Sequence, residues 1–524
     1  MQIDDFPYII LALAPFSPVP DGPYTPQGLP VDLATLDAAV EALAPTLRVE
    51  APKEFCPAAW VTIALRKFKH FKPDGMIEAC DYLQRVAAAG QMIDQAKNAG
   101  QTVAAIAEAL RSKYPDVPLD LALTAPKPTA PASSQLDDLL AMVAMPDASA
   151  AGGPAGDLPG LKAQCDCIIA GVLQAIYAAP EFRACEAAWR GLEAMLKQGA
   201  IKEGRRVKVV IASIDVSNFE DALDALLPVL TTTLPQLVLL DLEFDAAPER
   251  IQQLEKVANF ADTLLAPTAV AIGPRFLHIA DWDELKKIPY LKHFLEDAAY
   301  AKWRNLQKTP AANWLVPMLN GFLTRVCYGQ DNRPKPVFFE ETTPLWLNPV
   351  WALGALVAQS VLAFGWPSRF TDYMNVRLTD LAVSQDTGTP MATQMAVSDA
   401  RLAEFVQAGF TPLLGAAYKD IAMLPKETTA AAGSLKYQLF VNQVLGFFFW
   451  CKEHLALQIE DDVPGSLTQA FALYWQLTGQ NPPADISILP QETPDSGATQ
   501  LAISFTPPTE VIPGGQKLEF TFAW

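Results

Sequence analysis

Histidine is scarce in this chain: His70, His278, His293 and His454 are the only four in 524 residues. None stands in an H-E-x-x-H pair, and Cys165-x-Cys167 has no second half at zinc spacing. The glycine motifs of dinucleotide and triphosphate sites are missing, as is the G-x-S-x-G elbow of hydrolases. Gly152-Gly153-Pro154-Ala155-Gly156 has neither the lysine nor the preceding strand of a phosphate loop. The acidic pairs Glu340-Glu341 and Asp461-Asp462 come without a partner motif and read as solvated surface. The sequence therefore predicts no catalytic residue, no metal and no cofactor. It reads as a non-enzyme whose work is done by its surfaces.

Positive charge is also in short supply. Lys and Arg number 39 against 58 Asp and Glu, a net charge of −19. Residues 1–150 carry 11 basic and 18 acidic side chains, so the acidity is spread along the chain. Such a surface repels phosphates, which argues against nucleic-acid and anionic-membrane partners. No apolar run is long: Val350 to Trp366, broken by Gln359 and Ser360, falls short of the roughly 20 residues of a membrane helix. It reads as a buried core helix. Met1-Gln2-Ile3-Asp4-Asp5 is acidic where a secretion signal is basic. Seven scattered cysteines, an odd number, read as reduced thiols, and the expected location is cytoplasmic.

What is present is a mixed α/β pattern, with hydrophobic residues at 51%. Three parts are predicted. Residues 1–121 form a small α/β unit, with strands at 8–13, 47–50 and 60–68 and helices at 33–43, 75–96 and 102–113. Residues 122–160 are a Pro/Gly-rich linker. Residues 161–524 form a larger α/β unit. There a helical stretch (161–198) leads to strands at 206–212, 237–242 and 268–272, with helix 248–265 between the last two. The strand–helix alternation argues a parallel or mixed sheet. More helices follow at 283–306, 347–365, 401–408, 435–457 and 466–477.

Three surface features stand out. Within the linker, Leu136, Leu139, Leu140 and Val143 share one helical face behind a serine cap; this helix either packs back on its own protein or is read by a partner's groove. Arg66, Lys67, Lys69, His70 and Lys72 form a basic cluster, placed on strand 60–68 and its end. It is either a solvated edge or a salt-bridging contact with another acidic subunit. At the end of the sequence, Leu501, Ile503 and Phe505 alternate with polar residues, as do Leu518, Phe520 and Phe522. Two such strands suit a terminal hairpin or pairing with another molecule's open edge.

Several stretches resemble a known family. Pro180-Glu181-Phe182-Arg183 leading to Trp189-Arg190-Gly191-Leu192 is similar to the large subunit of the type VI secretion contractile sheath, the TssC or VipB family. So are Tyr300-Ala301-Lys302-Trp303-Arg304, Phe339-Glu340-Glu341, Leu345-Trp346-Leu347-Asn348 and Ala408-Gly409-Phe410-Thr411-Pro412-Leu413, in the family's order. Residues 31–47 and 68–74 resemble the small subunit, the TssB or VipA family. The resemblance thus implies the two sheath subunits fused in one chain. It implies self-assembly into rings or a helical sheath around an Hcp-type inner tube, with baseplate proteins as further partners and contraction as the working step. It implies that helix 136–143 is a tag for a ClpV-type AAA+ unfoldase, and that the C-terminal strands join neighbouring subunits. Trp189, Arg190, Trp303 and Arg304 are then structural core, with the arginines paired to carboxylates. The alternatives are a non-contractile cap or baseplate accessory built on the same fold, and an α/β enzyme with an unrecognised site.

Overall fold

The computed structural model describes residues 6–18, 24–121, 158–385, 388–455, 462–491 and 500–524. The predicted helix at Leu136, Leu139, Leu140 and Val143 lies outside them. In chain order the first strands are β1 (Tyr8–Ala14), β2 (Leu29–Val31), β3 (Thr46–Glu50), β4 (Trp60–Ala64) and β5 (Val207–Ser213). Then come β6 (Leu237–Phe244), β7 (Thr268–Ile272), β8 (Leu315–Leu319), β9 (Thr411–Pro412), β10 (Leu414–Gly415) and β11 (Ala422–Met423). The last three are β12 (Ser487–Gln491), β13 (Gln500–Phe505) and β14 (Leu518–Ala523).

Two compact units share the chain, and their division does not fall at the linker. One comprises residues 1–45, 184–326 and 344–524; the other comprises 46–183 and 327–343. The larger is built on a seven-stranded sheet of order β2-β5-β1-β6-β7-β8-β9. All neighbours run parallel except β2, which is antiparallel to β5. β1 thus sits inside the sheet, from Tyr8 opposite Val207 to Ala14 opposite Ser213 on one side, and Ile10 opposite Leu237 on the other. A strand covered on both faces needs a continuous apolar run, and Tyr8–Ala14, Leu237–Leu240 and Ala269–Ile272 supply one.

Helices Phe219–Leu230 and Pro248–Leu264 cover one face of this sheet, packing Phe219, Leu223, Leu254 and Val257 with Leu11, Leu13, Val238, Leu240 and Val270. Helix Pro349–Phe364 covers the other, buried along most of its length as its apolar run predicts. A second core in this unit joins helices Leu435–His454 and Val463–Leu477 to the antiparallel sheet β12-β13-β14.

The smaller unit holds the antiparallel hairpin β3-β4 and helices Pro73–Ala79, Asp81–Asn98, Val103–Lys113 and Leu158–Ala178. Tyr177 Oη donates to the Phe71 carbonyl at 2.9 Å, and the ring of Tyr177 packs edge-on against Phe182 and Tyr328. Three expectations are corrected here. The strand predicted over 60–68 ends at Ala64; Phe68–Phe71 is a 3-10 turn, so the basic side chains do not alternate across a strand. The helical stretch 161–198 is two helices, broken between Ala178 and Pro180. Glu341 is not solvated surface: its side chain is buried against Arg183 at 3.1 Å and accepts from the Tyr328 amide.

Candidate functional site

The most deeply buried carboxylate lies on helix Pro180–Gln198. Glu186 is fully buried. Its carboxylate accepts from Arg190 Nε at 2.6 Å, one helical turn on, and from Arg325 Nε and Nη2 at 3.1 Å each. Burial alone pushes this carboxyl up, but the Arg325 and Arg190 guanidiniums outweigh it, and the acid is held below its ordinary range. The glutamate is ionised, and its arginine partners fix the helix against the segment after β8. On the next turn Trp189 is fully buried, with Nε1 donating to the Phe16 carbonyl at 2.8 Å. That bond ties the loop after β1 to this helix. Gly191 is required by contact: a Cβ there would stand 2.3 Å from Trp351 Nε1. The sequence Trp189-Arg190-Gly191 therefore encodes an anchor, an ion pair and a close helix approach in three successive residues.

Trp303 is also fully buried, stacked on Phe410 (centroids 5.5 Å apart, planes at 16°) and edge-on to Phe276. Arg304 differs from its expectation. It donates to the Leu295 and Asp297 carbonyls, both at 2.6 Å, and so closes the turn before its own helix where a carboxylate partner was expected. Helix Ala301–Gln307 starts immediately after that turn, which explains why backbone oxygens are within reach.

Asp241 is the polar break in the apolar strand β6. The ladder from β6 to β7 skips between Leu240 and Glu243, so Asp241 lies at a bulge and faces the amino end of helix Pro349–Phe364. Asn348, the residue capping that helix, donates Nδ2 to Asp241 Oδ1 at 2.5 Å. Burial dominates, and the carboxyl is pushed up to about 6. Arg325 and Asp241 were missed because their partners lie 139 and 107 residues away in sequence.

Of the two readings of the C-terminal strands, the structure has the hairpin, with β13 antiparallel to β14. β13 is flanked on both sides, by β12 and by β14, and Leu501, Ile503, Phe505, Leu518 and Phe522 are buried in their own unit's core. Phe520 is half-buried against Phe448. β12 itself was not foreseen.

Among the described residues, no three His, Cys, Asp or Glu side chains are grouped as metal ligands, no disulfide joins the cysteines, and no single helix is long and apolar enough to cross a membrane. A cleft of about 590 Å³ in the larger unit is lined by Phe6, Ile9, Lys208, Gln236, Trp450 and His454. It opens at the amino ends of β1, β5 and β6, whereas ligand sites in parallel sheets lie beyond the carboxyl ends.

These observations define a mixed α/β scaffold whose best-formed polar sites are structural ion pairs and caps. Residues 235–431, which span β6 to β11, match the VipB family model, described as EvpB/VC_A0108, tail sheath N-terminal domain. The type VI secretion system sheath protein TssC1 of Pseudomonas aeruginosa is 28% identical over 197 residues, covering 35% of this chain and 40% of that protein. The chain thus spans about two fifths of the length of the curated relative it matches. Two solved assemblies of the anti-feeding prophage, the baseplate and the contracted helical sheath, align at TM-score 0.34 each. Their identities are 10% and 9%, with 64% of this chain and 76% and 77% of those chains covered. Over the segment matched by the family, the chain is similar to type VI secretion sheath proteins.

Proposed function

We propose that the chain is a structural subunit of a contractile, type VI secretion-like sheath, and not an enzyme. The observation that carries this reading is the sheath-domain match over 235–431, the segment that supplies β6 to β9 of the central sheet. Residues 1–121, which resemble the small sheath subunit, contribute β1 between β5 and β6. A small and a large subunit fused in one chain account for that pairing. On this reading the subunits assemble around an Hcp-type inner tube, on a baseplate, in the cytoplasm. Contraction moves rigid subunits from one lattice packing to a lower-energy one, a bistable-interface transition needing no catalytic group. Helix 136–143 serves as the tag for a ClpV-type unfoldase. Because β13 is already paired on both sides, the strand contact between subunits is assigned to the outer edge of β14. Negative-stain microscopy of the purified chain tests the proposal. Tubes are expected; discrete rings would replace the sheath with a cap or baseplate accessory, and a dispersed monomer would overturn assembly altogether.

A further inference from the structure

Arg66 to Lys72 places four cations in seven residues with no acid among them, in a chain of net charge −19. The fold holds this stretch rigidly. The Arg66 amide donates to His70 Nδ1 at 3.1 Å, the His70 amide to the Lys67 carbonyl at 2.9 Å, and the Lys72 amide to the Lys69 carbonyl at 3.0 Å. Gly75 packs so closely behind it that a Cβ would lie 2.1 Å from the Lys69 oxygen. Phe71 is buried beneath. Arg66, Lys67, Lys69 and Lys72 are all exposed. Lys69 is engaged by Glu78 at 2.6 Å. Arg66, Lys67 and Lys72 have no carboxylate within ion-pair distance among the described residues, and Asp74 is the one other acid in the segment 66–78.

We propose that this basic knuckle docks on the acidic surface of a second copy of the chain. Copies carrying −19 each repel one another at long range, and a local excess of positive charge relieves that repulsion at one place and in one orientation. Because the backbone is already fixed, only side chains have to be ordered on binding. The knuckle and its acidic complement are different surfaces, so the contact is head-to-tail. Head-to-tail contacts build rings or filaments, not closed two-fold dimers. The inference rests on the self-assembly reading above and names a surface for it.

The test mixes copies grown in natural and heavy nitrogen and joins touching amines and carboxylates with a zero-length carbodiimide. Mixed-isotope peptides containing Lys67 or Lys72 are expected at low salt, fading at about 0.5 M salt, where the screening length falls to a few Å. Lys67→Glu with Lys72→Glu is expected to weaken association about tenfold, and the Lys67→Gln, Lys72→Gln pair by less, as for exposed ion pairs. Cross-links of single isotope composition, or unchanged association of the charge-reversed chain, would overturn the proposal. So would retention on a polyribonucleotide without mixed-isotope cross-links. Tubes formed equally well by the charge-reversed and original chains would remove the knuckle and leave the sheath reading in place. Tubes from neither would remove the sheath reading, while the isotope pattern still decides the knuckle.

Discussion

Asp241→Asn is expected to stabilise the protein at neutral pH. Asp241 is buried at a bulge in a central strand, with Asn348 as its hydrogen-bond donor, and its pKa is raised from 3.8 to about 6. An acid whose pKa is higher in the folded state binds its proton more tightly there. Between pH 4 and 6 the native state therefore holds more protons than the unfolded chain, and stability falls as pH rises through that window. Above the folded pKa the cost is complete. A shift of about two units corresponds to about 3 kcal/mol at pH 7, a large share of a typical net stability of roughly 5–15 kcal/mol. The amide keeps an acceptor for Asn348 without carrying charge. It gives up a charge-assisted bond, which leaves an expected gain of about 2–3 kcal/mol at pH 7–8 that shrinks towards zero near pH 4. Urea unfolding at a series of pH values, followed by tryptophan fluorescence, measures this. A difference between the two proteins that does not vary with pH would refute the reasoning, as would a less stable Asn variant at pH 8.

Trp303→Ala empties a site between Phe410 and Phe276 and is expected to cost roughly 3–5 kcal/mol in the same unfolding assay. Gly191→Ala drives a methyl into the Trp351 ring and is expected to lower stability by about 1–3 kcal/mol or more, because both flanking helices are buried there; a neutral result would mean that the helices separate freely. Deleting residues 514–524 removes Leu518 and Phe522 from the core and uncovers β13, so the truncated chain is expected to melt early and aggregate, which a thermal scan with light scattering detects.

Much of the framework was legible because burial on both faces leaves a plain mark. Leu237–Leu240 and Ala269–Ile272 are apolar without interruption, and both lie in strands of the parallel sheet. β8 escaped because Pro317 divides Leu315–Leu319; β9 pairs only with Met318 and Leu319, so the proline sits at what is effectively an edge. β2 is three residues long and contains Pro30, too short for any period to register. Helix Phe219–Leu230 carries Pro228, which has no amide hydrogen to donate back to the preceding turn and so interrupts the helical reading of the sequence.

Partners were harder to read than elements. The strand at Tyr8–Ala14 was visible, but periodicity states only that a strand is buried and never beside which other strand. β1 pairs with residues some 200 positions away, which is why the boundary drawn at the linker and the compact units differ. The same limit separates Arg190 from Arg325. Arg190 lies one helical turn from Glu186, so helix geometry brings their side chains together. Arg325 reaches the same carboxylate only after β8 has been placed in the sheet. Arg304 exposes the opposite hazard. The tryptophan–arginine pair recurs at 189–190 and 303–304, yet only Arg190 sits on a long helix with an acid one turn before it. Arg304 sits in the first turn of a short helix, and the oxygens within its reach are the carbonyls of Leu295 and Asp297 just before that helix. Identical dipeptides thus do different structural work, decided by where each stands in its helix.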